Sequence, residues 1–233
     1  MQDIDKIVEN EIIDKINTSI KVKTAGAVNN MAQTVTFCNQ KYLRLFDVLV
    51  DKVLDVAYVV LSNDGFNVVI QITDDMQPIK QGAILDMPKP FYHRGTPRAL
   101  NSEWSQISND EQNKLPGVWL LNPVDETFSL KNDVERTAEI MLFIMCSADL
   151  KHDVTEDLRE KNVFPMLQMA KEIERSIASN QLFFNRLESY KTRDYSIFGT
   201  ENTNGMIKQI IDSQLSGLSM AFSLEILKEN CNC

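Results

Sequence analysis

Histidine, cysteine and glycine are scarce in this chain: two, four and eight among 233 residues. Each scarcity removes a chemistry. A catalytic base needs a positioned partner, and neither His93 nor His152 stands in a Ser/His/Asp or Cys/His pattern. Both read as solvated or interface residues, so no catalytic residue is predicted. A structural zinc needs about four Cys or His ligands. Cys38, Cys146, Cys231 and Cys233 are scattered, with no histidine beside the last two. Cys146 reads as a small hydrophobe in a strand, and Cys231 and Cys233 as a free, reduced tail. The glycines are isolated, so there is no glycine-rich phosphate loop, and no cofactor is expected. Asp149, Asp153, Glu156 and Asp157 do cluster, but not at calcium-loop spacing and with no glycine to fix the turn. They read as a solvated helix start, where acids suit the dipole, and no metal ligand is assigned.

Long apolar runs and surplus positive charge are missing too. No stretch approaches the roughly 20 apolar residues that span a bilayer, so no membrane partner is expected. Residues 1–10 are charged and carry no signal-peptide core, which predicts synthesis in a cytoplasm. The net charge of −9 argues against a general nucleic-acid coat. What remains, 43% hydrophobic and 24% charged, is ordinary globular composition, enough for one large domain or two small ones.

The chain is organised around residues 115–180. Val134, Ala138, Ile140, Leu142, Ile144 and Cys146 alternate with Glu135, Thr137 and Glu139, the period of a strand with one buried face. Beyond Ile140 the other face turns apolar through Met141, Phe143 and Met145. Then the period changes: Val163, Met166, Leu167, Ala170, Ile173 and Ile177 recur at steps of three and four, one side of a helix, and Pro165 fits its first turn. A strand pair with such a cover is a two-layer α+β unit. The predicted fold is therefore α+β: a mixed or antiparallel sheet covered by helices, with a small inserted β-module and a long Pro-rich arm.

In chain order, residues 3–20 read as a helix striped by Ile4, Ile7, Val8, Ile12, Ile16 and Ile20. Residues 33–72 read as an antiparallel module with strands at 34–38, 43–50, 53–61 and 66–72; a helix at 41–56 is the alternative. Residues 73–114 show no sustained period, and Pro78, Pro88, Pro90 and Pro97 interrupt any regular element. The same stretch is apolar and aromatic and holds Lys89, Arg94 and Arg98, so it needs a surface to lie on, its own chain's or a neighbour's. Residues 117–122 and 134–147 are strands, 153–161 allows an extra helical turn, and 163–180 is the main helix. Residues 181–214 are a polar and aromatic excursion, with a short helical turn at 206–211. The alternation of Leu218, Met220, Phe222, Leu224 and Ile226 closes the chain as a half-buried strand that joins the sheet begun at 115.

An amphipathic N-terminal helix is thus followed by "LPGVWLLNP", "VERTAEIMLFIMC", "NVFPMLQMAKEIERSIASN" and, last, "LSGLSMAFSLEI". Over residues 1–20 and 115–228 this order resembles the neck and tail-terminator class of ring proteins of tailed bacteriophages, in particular structural proteins of crAss-like phages that infect Bacteroides. The resemblance implies a non-enzymatic virion component, made in the host cytoplasm, that closes with copies of itself into a six- or twelvefold ring. It implies portal, connector or tail proteins as neighbours and DNA only as passing cargo. It divides the chain into a ring-forming domain (1–30 with 115–228), a β-module (31–75), an interaction arm (76–114) and a flexible tail (229–233). On this reading the subunit interface includes Phe91, Tyr92, Arg94, Arg98 and Trp104. A non-catalytic binding adaptor in the cytoplasm is the alternative, and a metal-assisted hydrolase using the acids at 149–157 is a third.

Overall fold

The computed structural model describes residues 3–38, 42–44, 47–64, 67–96, 115–129, 134–147, 159–183, 187, 189–198, 200–203, 206–209 and 215–227. The chain divides into two compact units, residues 17–89 and residues 1–16 with 90–233.

The first unit is a closed antiparallel barrel. Its strands are β1 (Ser19–Asn29), β2 (Ala32–Phe37), β3 (Val48–Asp51), β4 (Val56–Asn63), β5 (Val68–Gln71) and β6 (Ile84–Asp86), in the order β1-β2-β5-β4-β3-β6. All but β1 are of three to eight residues, and successive side chains alternate between the interior and the outside. Ile20, Val22, Val35, Leu49, Tyr58, Val60, Val68, Ile70 and Leu85 are all buried and fill the interior. Gln33 is buried with them, and its amide is satisfied three times, donating to the carbonyls of Gly26 and Ile79 and accepting from the Ile79 N–H. Closure leaves no strand edge open.

The second unit is a sheet of β7 (Phe91–Gly95), β8 (Gly117–Leu121), β10 (Val134–Ser147), β11 (Lys191–Phe198) and β14 (Leu215–Leu227), ordered β11-β14-β10-β8-β7, with β9 (Asp125–Phe128) also on β10. The long strands β10 and β14 pair antiparallel from Val134↔Leu227 to Ser147↔Leu215; β7 and β8 run parallel. A separate hairpin joins β12 (Thr200–Thr203) and β13 (Met206–Gln209). Two helical segments lie among the described residues. Helix α1 is Ile4–Ile7 continued by a π-helical Val8–Ile13; helix α2 is a π-helical Arg159–Val163 continued by Phe164–Ser179. The stripe Met166, Met169, Ala170, Ile173 and Ile177 is buried, and α2 packs on β10, β14 and the second half of α1. The Ser176 hydroxyl donates to the Ile12 carbonyl at 2.8 Å, and the Asn180 amide donates to Glu11.

This architecture corrects the predicted α+β class. The molecule is mostly β, with 51% strand against 19% helix, and consists of a closed barrel and a second sheet that one helix backs, instead of an α+β sheet covered by helices with a small inserted module. The arm is not one unbroken connection either: Ile84–Asp86 closes the barrel and Phe91–Gly95 adds to the second sheet. Pro88 and Pro90 sit between these strands and Pro78 before the first of them, where a missing N–H takes no hydrogen bond from a ladder. The helix expected over 3–20 stops at Ile13, because the Asn17 side chain accepts the Ser19 N–H and turns the chain into β1. Met206–Gln209 is a strand and not a helical turn. Residues 48–51 and 56–63 are strands, the reading set against a helix at 41–56. The tail with Cys231 and Cys233, and the acids at 149–157, lie outside the described residues.

Candidate interaction surface

Phe91, Tyr92 and Arg94, predicted at a subunit interface, stand on β7, the strand at one end of the second sheet; Arg98 and Trp104 lie outside the described residues. Alternation sends Tyr92 and Arg94 to the face that α1 covers. There the Tyr92 hydroxyl donates to Asp5 Oδ1 at 2.9 Å, and Arg94 reaches Asp5 at 2.6 Å and Asp3 at 3.3 Å. The bonds of these two side chains therefore tie the first turn of α1 to the sheet. A backbone N–H from Asp5, then Arg94, hold the Asp3 carboxyl below its ordinary value. Hydrogen bonding to Asp5 raises Arg94. Burial, then the Asp5 charge, pushes the Tyr92 phenol up. His93, read from sequence as solvated or at an interface, is buried, since its strand position alternates to the other face opposite Trp119. The Trp119 indole donates to the Gly95 carbonyl at 3.0 Å and its ring stacks on Phe143 at 5.2 Å.

Tyr92 gives a pH prediction. Its raised value means that the unfolded phenol ionises first, so its contribution is whole below about pH 10 and is lost as pH rises beyond that. Tyr92→Phe is expected to lower stability by about 1.5 kcal/mol at pH 7, the worth of a hydrogen bond to a carboxylate. The same variant should lose less stability than wild type between pH 9 and 11. Urea titrations across that range measure both.

Beside this clamp an open cleft of about 480 Å³ is lined by Asp3, Asp5, Arg94, Asn122 and Glu126. Glu126 pairs at 2.7 Å with Arg136, whose side chain is 3% exposed. The acids here are already engaged by arginines. Among the described residues no group of three or more His, Cys, Asp and Glu side chains is placed to hold a metal ion.

The larger feature lies on the sheet face turned away from α2. Along β10 the outward positions are Thr137, Glu139, Met141 and Phe143; along β14 they are Ser219, Ala221, Ser223 and Glu225. Glu139 and Met141, with Ala221, Ser223 and Glu225, line a groove of about 560 Å³ whose walls also include Leu121, Pro123, Asp125, Leu187 and Lys191. Asp125 and Glu139 face each other directly across the β9–β10 ladder, and Glu225 stands opposite the neighbouring Thr137. Like charges placed opposite one another destabilise a ladder, and Asp125 and Glu139 are such a pair. Tyr190, also on the wall, is raised by burial and then by the Glu174 charge. Such a groove has the chemistry of a docking surface for a cationic and apolar protein segment. Sequence reasoning missed it, because its residues come from five separate strands; the visible signal was the turn to apolar residues, beginning at Met141, on the outward phase of β10.

No family model, no curated protein and no solved structure matches this chain. What it does must be argued from its own surfaces.

Proposed function

We propose that the chain is a structural subunit of a tailed-phage virion, closing with copies of itself into a ring of the head–tail connector or tail through which DNA passes. The observation that carries this reading is the grooved sheet face. One face of the sheet is already covered by α2, yet the other keeps an exposed methionine beside the facing carboxylates of Asp125 and Glu139. A surface of that kind serves association and not turnover. The order of segments that resembles ring proteins of the neck and tail terminator supports the same reading. So does the net charge of −9, because an acidic wall repels the DNA that slides past it. The ring would be six- or twelvefold, assembled in the host cytoplasm and stacked on portal, connector or tail proteins, without a cofactor and away from membranes. On β7, Phe91 and the strand's second edge remain candidates for the subunit contact.

The purified chain is expected to show a mass near six or twelve times its 26.6 kDa, and purified particles are expected to contain it. Mass photometry and antibody labelling of particles check the two points. A chain that is monomeric in solution and also missing from particles would return the reading to a cytoplasmic binding adaptor.

A further inference from the structure

A head-to-tail contact needs two different, complementary surfaces on one chain, since every copy must offer both. The groove is one of them. We infer that the other is the β3–β4 turn, and that Lys52, Val53 and Leu54 of one copy seat in the groove of a neighbouring copy.

The turn is unusual for a loop tip. Tips are normally built from Gly, Asn, Asp, Ser and Pro, whereas this one carries Val53 at 89% exposure and Leu54 at 39%. Such side chains in water are unfavourable unless something covers them. The tip is also rigid. The buried Asp51 carboxylate accepts the N–H of Val53 at 2.9 Å and of Leu54 at 3.1 Å, and Asp55 turns the chain at φ 54°. A pre-ordered tip gives up little conformational freedom on docking.

The charges match as well. Lys52 is 78% exposed and, among the described residues, pairs with Asp86 of its own barrel. In the groove its ammonium would meet Asp125 and Glu139, and would relieve the repulsion across the β9–β10 ladder. The two apolar side chains would cover Met141 and Ala221. A volume of about 560 Å³ lies in the range of pockets that enclose small ligands, and accommodates the ends of a few side chains. This inference rests on the ring reading for its partner, a second copy of the chain.

The test uses two full-length variants. In the first, Lys52→Glu and Val53→Asp disable the tip; in the second, Asp125→Lys and Glu139→Lys disable the groove. All four side chains are exposed, and the pair lost with Lys52 is a surface pair worth at most about 1 kcal/mol, so circular dichroism melting close to wild type is expected of both. Each variant alone should be monomeric at a concentration where the wild type is assembled. Mixed in equal amounts they should form a 1:1 dimer and stop there, because one intact tip and one intact groove remain. Sedimentation velocity reads these masses. Either variant assembling as the wild type does would overturn the contact and leave the ring reading standing. A mixture that stays monomeric overturns it too, and so does a wild-type chain that remains monomeric up to about 1 mM, near the weakest association worth the name.

Discussion

Gly217→Ala is expected to dismantle the second sheet. Gly217 is the third residue of β14, flanked by Met145 on β10 and Tyr195 on β11. A Cβ built there would lie 2.0 Å from the Ile144 carbonyl oxygen and 3.0 Å from the Met145 Cα. Those are backbone atoms of the adjoining strand and cannot rotate away. The strand must shift, and a shift in β14 breaks the longest ladder in the molecule. The expected loss exceeds about 4 kcal/mol, the range in which single substitutions are diagnostic of backbone or core damage. Gly82→Ala is the matched control: it has φ 85° but open space around the added carbon, so only the strain of that conformation, about 1–2 kcal/mol, applies. Hydrogen exchange reads the two units separately. Protection in β10, β11 and β14 should collapse in Gly217→Ala while the barrel keeps its own.

Trp119→Ala should be nearly as severe. Trp119 is 1% exposed, clusters with Leu115, Met145 and Leu215, and has Leu121 and Phe143 packed against that cluster. Removing it loses the transfer energy of the ring, opens a cavity and leaves the Gly95 carbonyl without its indole donor. A loss of about 3–5 kcal/mol follows from large-to-small substitutions of this kind. Trp119→Phe separates the contributions: it keeps most of the volume and the aromatic partner for Phe143, so it should cost about 1–2 kcal/mol, chiefly the hydrogen bond. Urea midpoints of the three proteins give the comparison. If Trp119→Phe were as damaging as Trp119→Ala, the hydrogen bond and not the packing would be holding β7 to the sheet.

The long elements were legible in the sequence because they repeat their period many times. Residues 134–147 alternate over fourteen positions, and 164–179 turn through sixteen; both stand where the pattern places them. The terminal strand is in the sheet with β10, as its alternation implied. The fold class was not legible, because most of the barrel is made of strands of three to eight residues, each too short to establish a period. The N-terminal misreading has a numerical cause. Ile12, Ile16 and Ile20 are four apart, a spacing that suits a helix but is also even, so Ile20 fits equally as the first inward residue of β1. The hairpin of β3 and β4 was ambiguous with a helix because Val48, Val50 and Val59 make its outer face apolar too. That ambiguity was itself a sign of an exposed apolar surface. Of the predicted interface, Tyr92 and Arg94 were marked by charge and aromaticity, but the partner they meet in this structure is α1 of their own chain. Which of two acidic surfaces an arginine will choose cannot be read from spacing when the candidates are about 90 residues away in sequence.

The insertion of the barrel between α1 and β7 sets an order on events during translation. All strands of the barrel are complete once residue 86 has emerged, and its widest side-chain link, Ser19 to Asp86, spans 67 positions. Helix α1 waits longer. Its hold on Tyr92 spans 87 positions, and those of Ile12 on Ser176 and Glu11 on Asn180 span 164 and 169. Helix α1 thus leaves the ribosome before the barrel but is seated after it, and its isoleucine stripe stays uncovered in the interval.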